Sequence, residues 1–371
     1  MTTVDPAPPP PMRLRELVFG AACAAAVRAA ARLGVADALG DTPMTVEDLA
    51  AAVKTQPRTL RRLLRALSCQ GVFTEHADGT FAHTEMSRLL REDDPQSLRY
   101  IALWCTEPWT WDVWPKLDEA VRSGRNVFED VYEREFFAYL NEDAPESAYV
   151  FNRAMTTSSR QSAQDVADLL DLHGVSSVVD IGGGQGHVLA SLLEKYPDLH
   201  GTLLDLPRVV ENADPRLRAD GPLASRVRIV PGDCRVDIPV QADVYVIKNI
   251  LEWDDDSTRR ALANVRKAAV PGARVVVIEN LVDDTPSMRF TTAMDLLLLL
   301  NVGGAKHTRQ SMVDRLTDAG LVIGEIRPVN AYLHAFECTR PPPGPRGTDL
   351  GWNAGARRGG APRGPGPHAP G

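Results

Sequence analysis

The sequence predicts an α/β chain: a doubly wound, mostly parallel sheet in the C-terminal half, behind a smaller, mainly helical N-terminal domain. Three observations carry this. From Ser176 onward, short β-branched or aliphatic runs alternate with stretches of helical spacing, the order that builds a parallel sheet covered on both faces. The first run leads straight into a glycine-rich turn, Asp180-Ile-Gly182-Gly183-Gly184-Gln-Gly186. Residues 35–92 instead join two short helical patterns to a hairpin pattern.

Composition sets the limits. The 371 residues are 44% hydrophobic and 24% charged, with a formal net charge of −8, which is globular and enough for about two domains. Glycine and proline crowd the ends: residues 341–371 hold 8 Pro and 9 Gly, and residues 1–12 hold 5 Pro. Neither end can bury a core, so both are expected to be disordered. The acidic balance argues against broad affinity for nucleic acid or anionic membranes. Cys23, Cys69, Cys105, Cys234 and Cys338 are scattered without a C-x-x-C pairing, which predicts reduced thiols, a cytoplasmic setting and no metal site. No apolar run approaches the ~18 residues of a membrane span.

The elements follow in order. Arg13 and Arg15 precede an apolar run, Leu17 to Val27, that resembles a secretory signal in outline. Glu16 interrupts its flank and helical spacing continues to Leu39, so a buried N-terminal helix is the better reading. Thr45, with Asp48 three residues on, is a candidate N-cap, and Pro57 opens the next helix. Gly71 to Glu75, the Asp78-Gly79 turn and Thr80 to His83 then form a hairpin, which makes residues 13–98 a winged-helix-like domain. DNA contact through Arg58, Arg61, Arg62 and Arg65 is one reading. The first 100 residues carry 12 basic and 12 acidic groups, so the segment has no positive field, and dimerisation or a lid is preferred. Residues 99–165 are dense in aromatics, among them Trp104, Trp109, Phe128, Phe136, Phe137 and Phe151. Such a cluster serves equally as core or as the wall of a site for a flat aromatic ligand.

Residues 166–340 hold the sheet. Candidate strands are Val178–Asp180, Gly201–Asp205, Val227–Val230, Val244–Ile247, Val275–Ile278 and Leu321–Ile326, with helices at Val188–Lys195, Arg208–Ala213, Asp256–Ala269 and Gln310–Ala319. The glycines let the backbone turn tightly and approach a ligand that a Cβ would exclude. A dinucleotide fingerprint would need a further small residue at His187 or Leu189; the spacing here is acidic-x-Gly-x-Gly-x-Gly. Asp205 ends the second strand, where a carboxylate can accept both hydroxyls of a ribose. Asp233, after the third, can accept from an adenine amino group, and Cys234 can pack on the ring. Three acids at successive strand ends, on the edge where open α/β sheets bind ligands, are not a coincidence of surface residues.

With these residues in place the chain resembles the large S-adenosylmethionine-dependent O-methyltransferases, the group of plant caffeate-type enzymes and bacterial methyltransferases of aromatic polyketides. The resemblance spans about residues 13–338. It is carried by Val178-Val-Asp-Ile-Gly-Gly-Gly-Gln-Gly, Asp205-Leu206-Pro-Arg-Val, Gly232-Asp233, Lys248, Trp253-Asp-Asp-Asp, Pro271-Gly and Gly303-Gly304. It implies a Rossmann-like class I methyltransferase domain, a winged-helix dimerisation domain, a homodimer and S-adenosylmethionine as cofactor. It also implies that Gly182, Asp205, Asp233 and Lys248 contact that cofactor, with Asp180, Gly184, Leu206, Gly232 and Cys234 completing the candidate set. Trp104, Met155, Asn301 and Lys306 are the candidate contacts for a small aromatic substrate.

The departures matter as much. In the family a histidine before the tryptophan removes the substrate's hydroxyl proton; here the segment reads Lys248-Asn-Ile-Leu251-Glu252-Trp253, with Leu251 in its place. The first supporting glutamate is kept as Glu279, while the second aligns with Lys306. His307 and Glu252 are the candidate substitutes, with Glu279, for base catalysis, and changing Leu251 to histidine is expected to raise the rate or leave it unchanged. The implied function is methylation of a phenolic hydroxyl on a polyketide-like aromatic secondary metabolite. The alternatives are carbon methylation or a non-methylating reaction on a similar substrate and, from the winged helix, a ligand-sensing DNA-binding regulator.

Overall fold

The computed structural model describes residues 8–342. Residues 1–7 and 343–371, most of the two ends expected to be disordered, lie outside the described residues. The N-terminal boundary is corrected within them: Pro10–Val18 is a helix, with proline in its first turn, where a missing N–H costs nothing.

Helices Gly20–Leu33 and Val35–Ala38 meet at Gly34, whose φ of 67° is the left-handed geometry glycine supplies. Thr45 caps Val46–Ala52 by accepting the Asp48 amide at 3.2 Å. Pro57–Cys69 buries Leu60, Leu64 and Leu67, one stripe at helical spacing. These pack with Leu39, Leu49, Phe73 and Phe81 into a core of their own. Phe73 and Phe81 come from the antiparallel hairpin of β1 (Phe73–Glu75) and β2 (Phe81–His83). Arg65 is spent on Glu75 at 2.8 and 2.7 Å.

The expectation of a buried N-terminal helix is corrected. Helix 10–18 buries nothing, and Gly20–Leu33 buries only Ala30 and Ala31. Leu14, Leu17, Val18 and Phe19 are 60–72% exposed. The apolar pattern is there, yet among the described residues nothing covers it.

Seven further strands form one sheet: β3 (Ser177–Ile181), β4 (His200–Asp205), β5 (Val227–Pro231), β6 (Val244–Lys248), β7 (Arg274–Glu279), β8 (Val322–Pro328) and β9 (His334–Thr339). Their order is β5-β4-β3-β6-β7-β9-β8, parallel except for β9, which runs antiparallel to both neighbours. β9 is the strand that the sequence reading missed. Side chains alternate between two cores. Val178, Val246 and Val276 pack with Leu189 and Val166 on one face, and Val179, Tyr245 and Val277 pack with Leu262 and Met312 on the other. The chain winds from β3 outward through β4 to β5, then returns to place β6 on the other flank of β3. The reversal opens a crevice above the carboxyl ends of β3 and β6, the place where such sheets bind ligands.

Two helices lie outside the sheet, and the first of them roofs the crevice. Pro145–Leu169, 25 residues long, runs through the domain boundary expected near 165 and joins the aromatic region to the sheet. Met288–Val302, absent from the expected elements, packs Leu297 and Leu300 on Trp109, Phe128 and Phe136. These rings meet edge-on at 5.1–6.0 Å, the favoured arrangement of aromatic quadrupoles. Most of the aromatic cluster is therefore core. No helix among the described residues is long and apolar enough to cross a membrane.

Candidate active site

The crevice holds a cavity of about 220 Å³. Its floor is the turn after β3. Gly182, Gly184 and Gly186 have φ of 62°, 62° and 83°, a left-handed path that side chains resist. A Cβ at Gly183 would meet the Asp180 carboxyl at 2.5 Å, whereas one at Gly184 would meet nothing within 4 Å. The turn thus presses on the sheet with one glycine and opens to the cavity with the next.

Asp205, at the end of β4, accepts the Gly184 amide through Oδ2 and the Leu206 amide through Oδ1, each at 2.7 Å. Burial pushes its pKa up to about 6, against the pull of those two amides. The lone pairs left over face the cavity, a cradle suited to a pair of hydroxyls. Asp233 is held by Arg235, whose Nε lies 3.0 Å and Nη2 2.9 Å from Oδ2, and the guanidinium stacks 5.3 Å above the Trp253 ring. Burial pushes the Cys234 thiol up to about 12, so it offers a neutral, apolar surface. Gly182, Gly184, Leu206, Gly232, Cys234 and Lys248 all line this cavity with the two acids. These residues fit an adenosyl group with a methionyl tail: a turn without side chains, a carboxylate at ribose height and a soft surface for a base.

Asp180 is the exception among the candidate cofactor residues. It lies under the turn, 1% exposed, with Oδ2 unpartnered, and burial pushes it up to about 7 against the attraction of Lys248. The opposite wall is apolar. Phe137, Phe151 and Met155 line it, and Trp104, expected to contact substrate, sits behind Phe151 at 5.8 Å between ring centres. Asn301 lines an adjoining hollow with Trp253 and Arg235. Sequence reasoning missed Arg235, whose only signal was a cation two residues after a strand-end acid, and the polar residues Asn141, Asn152 and Ser159 of the roof.

The base positions differ from expectation. Leu251 is fully buried in the sheet's second core and does not line the cavity. The side chain lodged between Glu279 and Lys306 is that of Glu252: it forms an ion pair with Lys306, and its charge acts on Glu279. His307 is 4% exposed and bonds the Leu251 carbonyl at 2.7 Å through Nε2, and, like Glu252 and Glu279, it does not line the cavity. Lys306, expected to meet substrate, is turned inward onto Glu252. No group of His, Cys, Asp or Glu among the described residues could hold a metal ion.

Comparison with known proteins agrees with this geometry. Residues 114–322 match the family model of an O-methyltransferase domain, and residues 15–93 match that of an O-methyltransferase dimerisation domain. The chain is 38% identical to the mitomycin biosynthesis 6-O-methyltransferase of Streptomyces lavendulae, over 86% of this chain and 91% of that one. It superposes on the solved structure of a mitomycin 7-O-methyltransferase with a TM-score of 0.81, covering 89% of this chain and 97% of that one at 38% identity. An O-methyltransferase from neocarzinostatin biosynthesis, solved with S-adenosylmethionine and 2-hydroxy-5-methyl naphthoic acid, superposes with a TM-score of 0.74 at 30% identity, covering 86% and 96% of the two chains.

Proposed function

Since this chain belongs to the S-adenosylmethionine-dependent O-methyltransferases that carry an N-terminal dimerisation domain, we propose that it methylates a phenolic hydroxyl on an aromatic secondary metabolite. One observation carries the choice of acceptor. The cavity that holds the glycine turn and Asp205 is closed on its other side by Phe137, Phe151 and Met155, so a flat ring seated there faces the cofactor's methyl end. The names of the relatives, enzymes of mitomycin and neocarzinostatin biosynthesis, support the same class.

When bound, the cofactor supplies an electrophilic methyl group on a sulfonium. The protein's part is to bind and align. Asp205 accepts the ribose hydroxyls, the turn at 182–184 leaves room for the methionyl tail, and the Asp233–Arg235 pair with Cys234 receives the adenine. The aromatic wall holds the acceptor ring and excludes water. Alignment of two bound partners can supply ~7–11 kcal/mol of the barrier, so positioning is the larger share of the catalysis. The exposed apolar face of helix 10–18 is the surface we assign to a second copy of the chain, making the enzyme a homodimer.

Incubating the purified chain with methyl-labelled S-adenosylmethionine and a panel of phenols, naphthols and hydroxynaphthoates tests the reading. Label recovered as an aryl methyl ether supports it. Label on carbon, or none on any acceptor, overturns the phenolic assignment.

A further inference from the structure

A polar hollow of about 510 Å³ adjoins the reaction cavity. Phe137, Arg235 and Trp253 belong to the walls of both, so a single molecule can reach from one into the other. The hollow lies between the end of helix 288–302 and residues 124–135, and the two are tied together. The Val127 amide donates to the Leu300 carbonyl at 3.1 Å, and Gly303, with φ of 66°, stops the helix there. Asn301, in that last turn, is 6% exposed and lines the hollow. Its carbonyl oxygen Oδ1 has no hydrogen-bond partner among the described residues. A leucine of similar shape would pack there without leaving an acceptor empty, and a buried polar atom without a partner is a cost. A donor arriving from outside the chain accounts for the amide.

The charge around the hollow selects the donor. Its cations are largely spent: Arg235 on Asp233 at 2.9 Å and Arg260 on Asp256 at 3.0 Å. Of its acids, Asp254 is taken by the amides of Asp256 and Ser257, both at 3.0 Å. Glu129, Asp130 and Glu135 remain, in no ion pair among the described residues, against Arg125 alone. Glu135 already attracts the Arg235 guanidinium on the shared wall. A hollow lined by one sign of charge concentrates the opposite ion.

Given the methyl-transfer reading above, on which this rests, we propose that the hollow is the subsite for a protonated amine carried on a side arm of the aromatic acceptor. The ring lies against Phe137, Phe151 and Met155, and the arm passes between Arg235, which Asp233 neutralises, and the 124–135 segment. The ammonium donates to Asn301 Oδ1 within the field of Glu129, Asp130 and Glu135. The acceptor class is thereby narrowed from flat phenols to amine-bearing ones.

The test compares three hydroxynaphthalenes of one shape that differ at the tip of a short alkyl arm: an ammonium, a methyl or a carboxylate, with the arm at each ring position in turn. Binding of each to the full chain saturated with S-adenosylhomocysteine is measured by calorimetry, and kcat/KM is measured with methyl-labelled S-adenosylmethionine. At the best position the ammonium compound is expected to bind roughly tenfold more tightly than the methyl one, as a hydrogen bond from a charged donor allows, and the carboxylate compound to bind weakest. The preference is expected to shrink as salt is raised, because the three acids are exposed. Asn301→Leu is expected to lose most of the preference and Asn301→Asp to enlarge it. Glu129→Gln, Asp130→Asn and Glu135→Gln together, changes outside the core, are expected to reduce it several-fold while S-adenosylhomocysteine binding stays unchanged. Equal affinity for the ammonium and methyl compounds at every position in wild type overturns the proposal, as does a preference that the triple variant leaves intact. If the Asn301 variants do not fold, the triple variant decides alone. A wild-type chain that does not bind S-adenosylhomocysteine overturns instead the methyl-transfer reading beneath it. One that binds it and prefers the ammonium compound, yet methylates none of the three, overturns the phenolic assignment and upholds the subsite.

Discussion

The Asp205 carboxylate accepts the Gly184 amide at 2.7 Å, fastening the end of β4 to the turn that follows β3. On the proposed function the same oxygens would also receive the cofactor's ribose, so one side chain would both shape the turn and read the ligand.

A pH dependence follows from that double duty. Burial raises the folded-state pKa of Asp205 to about 6, and hydroxyl donors favour the ionised form. Protons and cofactor therefore compete. Affinity for S-adenosylhomocysteine is expected to be full well above pH 6 and to fall by up to about tenfold per unit as pH drops below it. Calorimetric titration across that range measures the fall, which Asp205→Asn should flatten.

Two glycines separate strain from collision. A Cβ at Gly304 would stand 1.8 Å from the Glu252 carbonyl oxygen, whereas one at Gly184, with φ of 62°, would meet nothing within 4 Å. Gly304→Ala must push the 251–253 turn away, at a cost of about 3 kcal/mol. Gly184→Ala costs only the left-handed backbone penalty, about 1–2 kcal/mol. Urea unfolding of both variants gives the comparison, and an equal loss would contradict it.

Leu251→His is expected to harm the protein, the opposite of what the sequence alone predicted. Leu251 is fully buried among Ile247, Leu281 and Phe336, and an imidazole there has no assured partner. A stability loss of about 2 kcal/mol or more and no gain in rate are expected from unfolding and kinetic measurements.

Leu17→Asp with Phe19→Asp tests the dimer surface. Both side chains are exposed within the single chain, at 60% and 72%, so their loss costs the monomer's fold little. Sedimentation should show the wild-type chain as a dimer and the variant as a monomer with unchanged circular dichroism.

Much of this was legible in the sequence. The strand runs from Val178 to Ile278 are nearly continuous apolar stretches because both faces are covered, and they stand within a residue or two of their expected ends. β9 was hidden because His334 to Thr339 mixes His, Glu and Cys into a strand whose neighbours, not its own pattern, define it. The glycine turn and the strand-end acids were readable because strand order alone brings them together. The base region was not. A six-residue segment around Leu251 fixes no side-chain direction, and only the packing of 303–307 against it shows that Glu252, rather than Leu251, turns toward Glu279 and Lys306. His307 attracted attention as a histidine, yet the Leu251 carbonyl had already claimed it.

The central claim is that the cavity above the glycine turn is the cofactor site, with Asp205 as its anchor. Calorimetric titration of S-adenosylhomocysteine into the full wild-type chain and into Asp205→Ala, at neutral pH, tests it most directly. The expected result is saturable binding at one site per chain in wild type, weakened by roughly 10²-fold in the variant, as loss of hydrogen bonds to a charged group implies. Equal affinity in the two folded proteins, or no binding by wild type, would contradict it.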